Sequence, residues 1–283
     1  MMWSVNSQAE RTVSRRVLIS LAVAAIMLAS VAAVAQEGES PRVDAAAASR
    51  LASALVGVEP ASVLFDRGPS RDTFEVRGTD GRVVWVDAAT GKVGGVMGSI
   101  FTPPAEPAEV LSTSQARDLA YAVVSSIEPE VSTMTLVDTI CTGESVAFHW
   151  QRIDENGAWL PQWVTASVGI KTGDVGGYAA RDEEVLIETV PKIAEGDARS
   201  TMLQRLPAHS TVEERRLVLA VFRDRSGAQR LVWYGMFEGT TRVPIRGDAF
   251  EPASDSSDEM VPIGLAEKLY VDALTGLDVT DEF

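Results

Sequence analysis

Three stretches of the chain place apolar residues at helical spacing. In the first, Ala48, Leu51, Ala52 and Leu55 share one face, with Asp44 where an N-cap is needed and Gly57 where the helix must stop. In the second, Ala116, Leu119, Ala120, Val123, Val124 and Ile127 follow the helical period without a miss. Thr113 or Ser114 is positioned to cap it, and Pro129 lies just past its end. The third is weaker. Ala198, Met202 and Leu206 fit one face, but Gly196 and Pro207 confine it. Elsewhere the period drops to two. Phe74 and Val76 alternate with Glu75 and Arg77, the pattern of a sheet with one wet face.

Turn signals break the strand-like runs at matching places. Asp80-Gly81 separates 73–77 from 82–86, Asn156-Gly157 separates 146–152 from 159–168, and Ser226-Gly227 separates 217–223 from 229–237. A second corner follows each: Thr90-Gly91, Thr172-Gly173 and Thr275-Gly276. Val86-Asp87-Ala88-Ala89-Thr90-Gly91, Val168-Gly169-Ile170-Lys171-Thr172-Gly173 and Val271-Asp272-Ala273-Leu274-Thr275-Gly276 read as three copies of strand, tight turn, strand. The structural turns expected are therefore Gly81, Thr90, Gly91, Gly157, Thr172, Gly173, Gly227, Thr275 and Gly276.

This pattern predicts an α+β fold of tandem units, each with one helix packed on a small antiparallel β-meander. Unit one spans 36–101, a Pro-rich linker 102–112, unit two 113–188 and a divergent unit three 189–283. The two turns of the third unit stand far apart, so residues 239–264, rich in Pro, Gly, Ser and acid, read as an inserted loop.

The N-terminus reads as an address. Residues 17–35 are uncharged, Arg11, Arg15 and Arg16 precede them, and Ala33-Val34-Ala35 offers small residues for a signal peptidase. Cleavage after Ala35 yields an exported chain. Retention leaves an anchor, since nineteen helical residues reach roughly 28 Å. Either way an extracytoplasmic location is expected, secreted, periplasmic or at the cell envelope, with membrane contact only through 17–35 if uncleaved. Ser14-Arg15-Arg16 also resembles a twin-arginine export motif.

Charge and composition then exclude functions. The chain has 283 residues and a net charge of −15, which argues against a nucleic-acid partner. One cysteine, Cys141, excludes an internal disulfide and multi-cysteine metal sites, and two histidines exclude a three-histidine centre.

The segments FEVRGTDGRVVWVDAATGKV at 74–93 and FHWQRIDENGAWLPQWVTASVGIKTGDVGGY at 148–178 resemble the PepSY superfamily, including its YcdB/YcdC-type repeats; EKLYVDALTG at 267–276 is a fainter third copy. The resemblance implies helices on antiparallel sheet in secreted or envelope proteins, some of them pro-segments of secreted metallopeptidases that restrain the enzyme or assist its folding. It brings no catalytic or cofactor residues. With no peptidase domain following, any peptidase partner is expected to be a separate chain.

Isolated chemical motifs dissolve on inspection. Lys171-Thr172-Gly173 lacks the Ser-x-x-Lys that penicillin-binding enzymes require, and the repeat register makes it a turn. Gly143-Glu144-Ser145-Val146-Ala147 lacks the last glycine of a nucleophile elbow. His149, between Phe148 and Trp150, reads as a structural histidine on a strand, and His209 lies in a loop. Asp248, Glu251, Asp255, Asp258 and Glu259 are hard oxygen donors but match no known calcium loop. Trp85, Trp150, Trp159, Trp163 and Trp233 fall on strands, where sheet packing is expected; Trp159 and Trp163 are also candidates for an exposed aromatic contact. The expectation is a non-enzymatic binding module with no catalytic, cofactor or metal residues and a polypeptide partner, such as a secreted peptidase. Alternatives are a structural or assembly protein of the envelope and an unrecognised secreted hydrolase.

Overall fold

The computed structural model describes residues 43–67, 72–103, 107, 109–208, 210–244 and 260–283. The export signal, His209 and the acidic residues 248–259 lie outside them, as does part of the linker.

The described residues open with helix α1 (Ala45–Val56) and strands β1 (Pro60–Arg67), β2 (Asp72–Gly78), β3 (Val83–Asp87) and β4 (Val93–Phe101). Helix α2 (Thr113–Ile127) leads to β5 (Thr135–Thr142), β6 (Ser145–Ile153), β7 (Trp159–Gly169) and β8 (Val175–Asp182). Helix α3 (Glu195–Arg205) precedes β9 (Thr211–Arg223), β10 (Gln229–Pro244) and β11 (Met260–Asp272).

The fold class expected from the repeats is corrected here. The strands do not form separate small meanders. They join one 11-stranded sheet in the order β1-β2-β3-β4-β8-β7-β9-β10-β11, with β6 also on β7 and β5 on β6. The sheet is mixed, because β7 and β9 run parallel through Trp159 and Ala220. The physical reason is edge satisfaction: a short meander leaves backbone donors and acceptors unpaired at both sides, and pairing β4 with β8 removes two such edges. Both described ends of the expected loop over 239–264 are strand rather than loop. Register runs from Gly239↔Leu265 to Pro244↔Met260, so residues 239–244 and 260–264 extend a hairpin.

By compactness the chain divides into two units, residues 1–150 with 163–181, and 151–162 with 182–283. In the first unit α1 buries Ala48, Ala52 and Val56, and α2 buries Ala116, Ala120 and Val124. This shared i, i+4, i+8 pattern of two alanines and a valine brings each helix close to a floor that includes Val76, Val84, Val86, Phe148, Val164 and Val168. Asp44 accepts the Ala47 N–H at 2.7 Å, and Gly57 ends α1 in the left-handed region at φ 65°. The cap of α2 is Ser112 rather than the expected Thr113 or Ser114, because Gln115 reaches back to complete a capping box. In the second unit α3 buries only Ala198 and Met202. Gly235 makes room there, since a Cβ at that position would lie 2.5 Å from the Met202 sulfur.

Candidate functional site

The repeated corners share one construction. Asp87 Oδ1 accepts from Ala89 N at 3.0 Å, Thr90 N at 2.8 Å and Thr90 Oγ1 at 2.9 Å. Asp272 Oδ1 does the same for Leu274 N at 3.0 Å, Thr275 N at 2.8 Å and Thr275 Oγ1 at 3.0 Å. At the middle corner the aspartate is replaced by Gly169, where a Cβ would lie 2.5 Å from Thr172 Oγ1. Gly91, Gly173 and Gly276 have φ of 74°, 73° and 75°, a region that an L side chain enters only with strain. Each donates its N–H back four residues, to Asp87, Gly169 and Asp272.

The earlier turns hold a pattern that the dipeptides alone do not reveal. Asp154 Oδ1 accepts from Asn156 N and Ala158 N, and Asp224 Oδ1 from Ser226 N and Ala228 N. The signal is Asp-x-x-Gly-Ala rather than Asn-Gly or Ser-Gly, with Gly157 and Gly227 at φ of 79° and 86°. Gly81, at φ 83°, sits in the β2–β3 turn, where Asp80 receives the Arg82 N–H.

These corners are scaffold. The surface they leave available is β1. Its apolar core, Val63-Leu64-Phe65 after Pro60, is the sequence signal that the periodicity argument missed. Among the described residues β1 pairs with β2 alone, in antiparallel register from Pro60↔Gly78 to Arg67↔Asp72. Val63 faces Val76 and Phe65 faces Phe74, with ring centroids 5.1 Å apart and the Arg67 guanidinium 6.0 Å from the Phe65 ring. Leu64 is 51% exposed and Phe65 49%. Eight extended residues give an edge of about 26 Å.

The start of β1 is held rigidly. Arg82 donates to Val56 O at 2.7 Å and Gly57 O at 2.9 Å, satisfying carbonyls at the end of α1, and to Ser99 O on β4 at 3.2 Å. Its Nε donates to Asp80 at 2.7 Å, and the Arg82 amide and guanidinium hold the Asp80 carboxyl below its ordinary range. Ser53 Oγ bonds Val58 O at 2.8 Å, and Thr79 N bonds Glu59 O at 2.9 Å. The start of the β1 edge is therefore preorganised.

The other edge strands are blunted. β11 carries Pro262, and its last residues are covered: Val279 N bonds Tyr270 O at 2.9 Å and Asp272 N bonds Leu277 O at 2.9 Å. On β5, Asp138 captures the Thr139 N–H at 2.9 Å.

Other candidates find ordinary surroundings. His149 stacks on Trp163 at 5.8 Å, both half-buried, and the Arg216 guanidinium lies 5.1 Å from the Trp159 ring. Trp85 is half-buried on β3 and Trp150 buried on β6; Trp233 is buried and donates Nε1 to Ile193 O at 2.9 Å. Cys141 is exposed on β5. Among the described residues no group of three His, Cys, Asp or Glu side chains is arranged to hold a metal, and no helix is long and apolar enough to cross a membrane. The Tyr178 hydroxyl is buried with no hydrogen-bond partner among the described residues; burial and the nearby Glu128 carboxylate raise its pKa, so it stays neutral. In the second unit, a shallow groove between β9, β10 and β11 is bordered by Arg215, which pairs with Glu238 at 2.9 Å and Glu213 at 3.1 Å.

No protein-family model matches the chain, and no curated protein does. Among solved structures, the C-terminal domain of YpeB from Bacillus megaterium is similar at 13% identity, covering 84% of this chain and 96% of that one, with a TM-score of 0.44. An uncharacterized protein from Eubacterium rectale is similar at 10% identity, over 82% of this chain and 80% of that one, with a TM-score of 0.47. Neither likeness identifies a family or an activity.

Proposed function

We propose that this chain is a non-enzymatic, extracytoplasmic, PepSY-like binding module that takes an extended polypeptide along the edge of β1. The observation that carries this reading is the β1 edge itself: an eight-residue strand paired on one side only among the described residues, with Leu64 and Phe65 half-exposed beside it. An extended segment completes such an edge by main-chain hydrogen bonds, and alternate side chains settle against Leu64 or Phe65. The motifs at 74–93 and 148–178 and the basic-then-apolar N-terminus support the family, the export and a secreted peptidase as the partner to be restrained or helped to fold.

The test is capture of secreted proteins on the immobilised chain, followed by hydrogen exchange on the complex. Slowed exchange over 60–67, abolished by Leu64→Pro but not by Ile140→Pro on β5, is the expected result. A partner whose footprint omits 60–67 overturns the reading. Because a proline variant can misfold, Leu64→Lys with Phe65→Lys is the second variant; it leaves the β1–β2 ladder intact and is expected to weaken capture.

A further inference from the structure

Residues 183–194 join β8 to α3 without entering the sheet. Their exposure nevertheless alternates strictly. Val185, Ile187, Thr189, Pro191 and Ile193 turn inward, and Val185, Ile187 and Ile193 pack on the second unit's core. Glu184, Leu186, Glu188 and Val190 turn outward. Leu186 is 68% exposed and Val190 57%, so acid and apolar side chains alternate along the outer face.

Side chains and one turn carbonyl, rather than strands, hold this strap. The Gln229 carboxamide donates to Glu184 O at 2.6 Å and accepts the Leu186 N–H at 2.8 Å, the pair of bonds a neighbouring strand would supply. At the far end Lys192 N and Ile193 N both bond Ala273 O, at 2.9 and 3.0 Å, and Trp233 Nε1 bonds Ile193 O. Between these anchors the chain bends at Ile187. Among the described residues the main chain of 187–191 has no hydrogen-bond partner, and the Glu184 and Glu188 carboxylates have no cation. Water satisfies these groups in the free protein.

We propose that 184–191 is a docking strip for an extended segment of another protein in which cationic and apolar side chains alternate. Charge complementarity selects that occupant. Lysine or arginine settles beside Glu184 and Glu188 while aliphatic side chains cover Leu186 and Val190, and the main chain of 188–191 gains partners. This strip is separate in sequence from the β1 edge, and neither proposal needs the other.

The test uses the full chain and two synthetic octapeptides, alternating Lys–Val and alternating Glu–Val, with hydrogen exchange and titration as readouts. The Lys–Val peptide is expected to slow exchange over 187–191 and to bind more weakly as salt rises. Glu184→Lys with Glu188→Lys is expected to weaken it by about tenfold and to transfer preference to the Glu–Val peptide. Leu186→Ser with Val190→Ser is expected to weaken both peptides while leaving thermal unfolding unchanged, because both side chains face solvent. Unaltered exchange at 187–191, protection confined to 60–67, or an affinity indifferent to charge reversal overturns the proposal.

Discussion

The two compact units of this chain solve the same packing problem with different means. Among the described residues the first draws on 22 buried core residues and the second on 11, so the second must find stability elsewhere. It finds it in polar contacts. Arg199 joins Glu195 at 2.7 Å and Glu214 at 2.8 Å, tying α3 to β9. Arg205 joins Asp278 and Asp281 at 2.8 and 2.7 Å, and Arg230 joins Asp224 at 2.8 Å and Glu282 at 2.7 Å. The contrast begins in the helices. α1 and α2 each bury two alanines and a valine, whereas α3 buries Ala198 and Met202 and exposes Leu203. A helix with a narrow apolar stripe gains little from burial, and guanidinium groups on its flanks help fix its place. Exposed ion pairs of this kind contribute little singly, so the second unit is expected to be the less stable.

The sharpest break of this contrast is in the larger core. Phe148→Ala, at a side chain 1% exposed, is expected to cost about 3–5 kcal/mol, read by denaturant unfolding. Met202→Ala is expected to cost about 2–4 kcal/mol, because Gly235 opposite it has no side chain to fill the space left behind. Next come the corners. Asp87→Ala removes three hydrogen bonds at an exposed turn and is expected to cost about 1 kcal/mol, while Asp272→Ala, buried and 3.8 Å from Arg230, costs about 2. Equal losses at the two corners would show that the surrounding unit does not matter.

The smallest effect is a slope. The Ser226 hydroxyl, then Arg230, lower the Asp224 pKa from 3.8 to about 2. A depressed carboxyl contributes stability that is full above pH 3.8 and lost as pH falls toward about 2. Asp224→Asn is expected to flatten the acid limb of the unfolding curve in that window; an unchanged limb would assign acid sensitivity to other groups.

Much of the chain's local structure was legible from its residues. Asp44, Gly57 and the Ala–Ala–Val spacings mark α1 and α2, and Thr-Gly with a preceding Asp or Gly marks three corners of one geometry. β1 and β5 were not legible. Each opens a strand run at an edge, where short pieces such as Val63-Leu64-Phe65 show no clean alternation because one flank faces water. The strap at 183–194 was equally hidden, since a two-residue period outside any sheet looks like a strand or a loop until its partners are known.

The residues by themselves determined where the chain turns and which faces are apolar, because caps, left-handed glycines and side-chain periodicity act over a few positions. Only the tertiary structure decided that the strand runs share one sheet, that β4 meets β8, and that β1 remains at its border. Those pairings join residues some 80 positions apart, such as Gly95 and Ala179. Backbone hydrogen bonding is nearly blind to side-chain identity, so nothing in a local pattern names the strand on the other side.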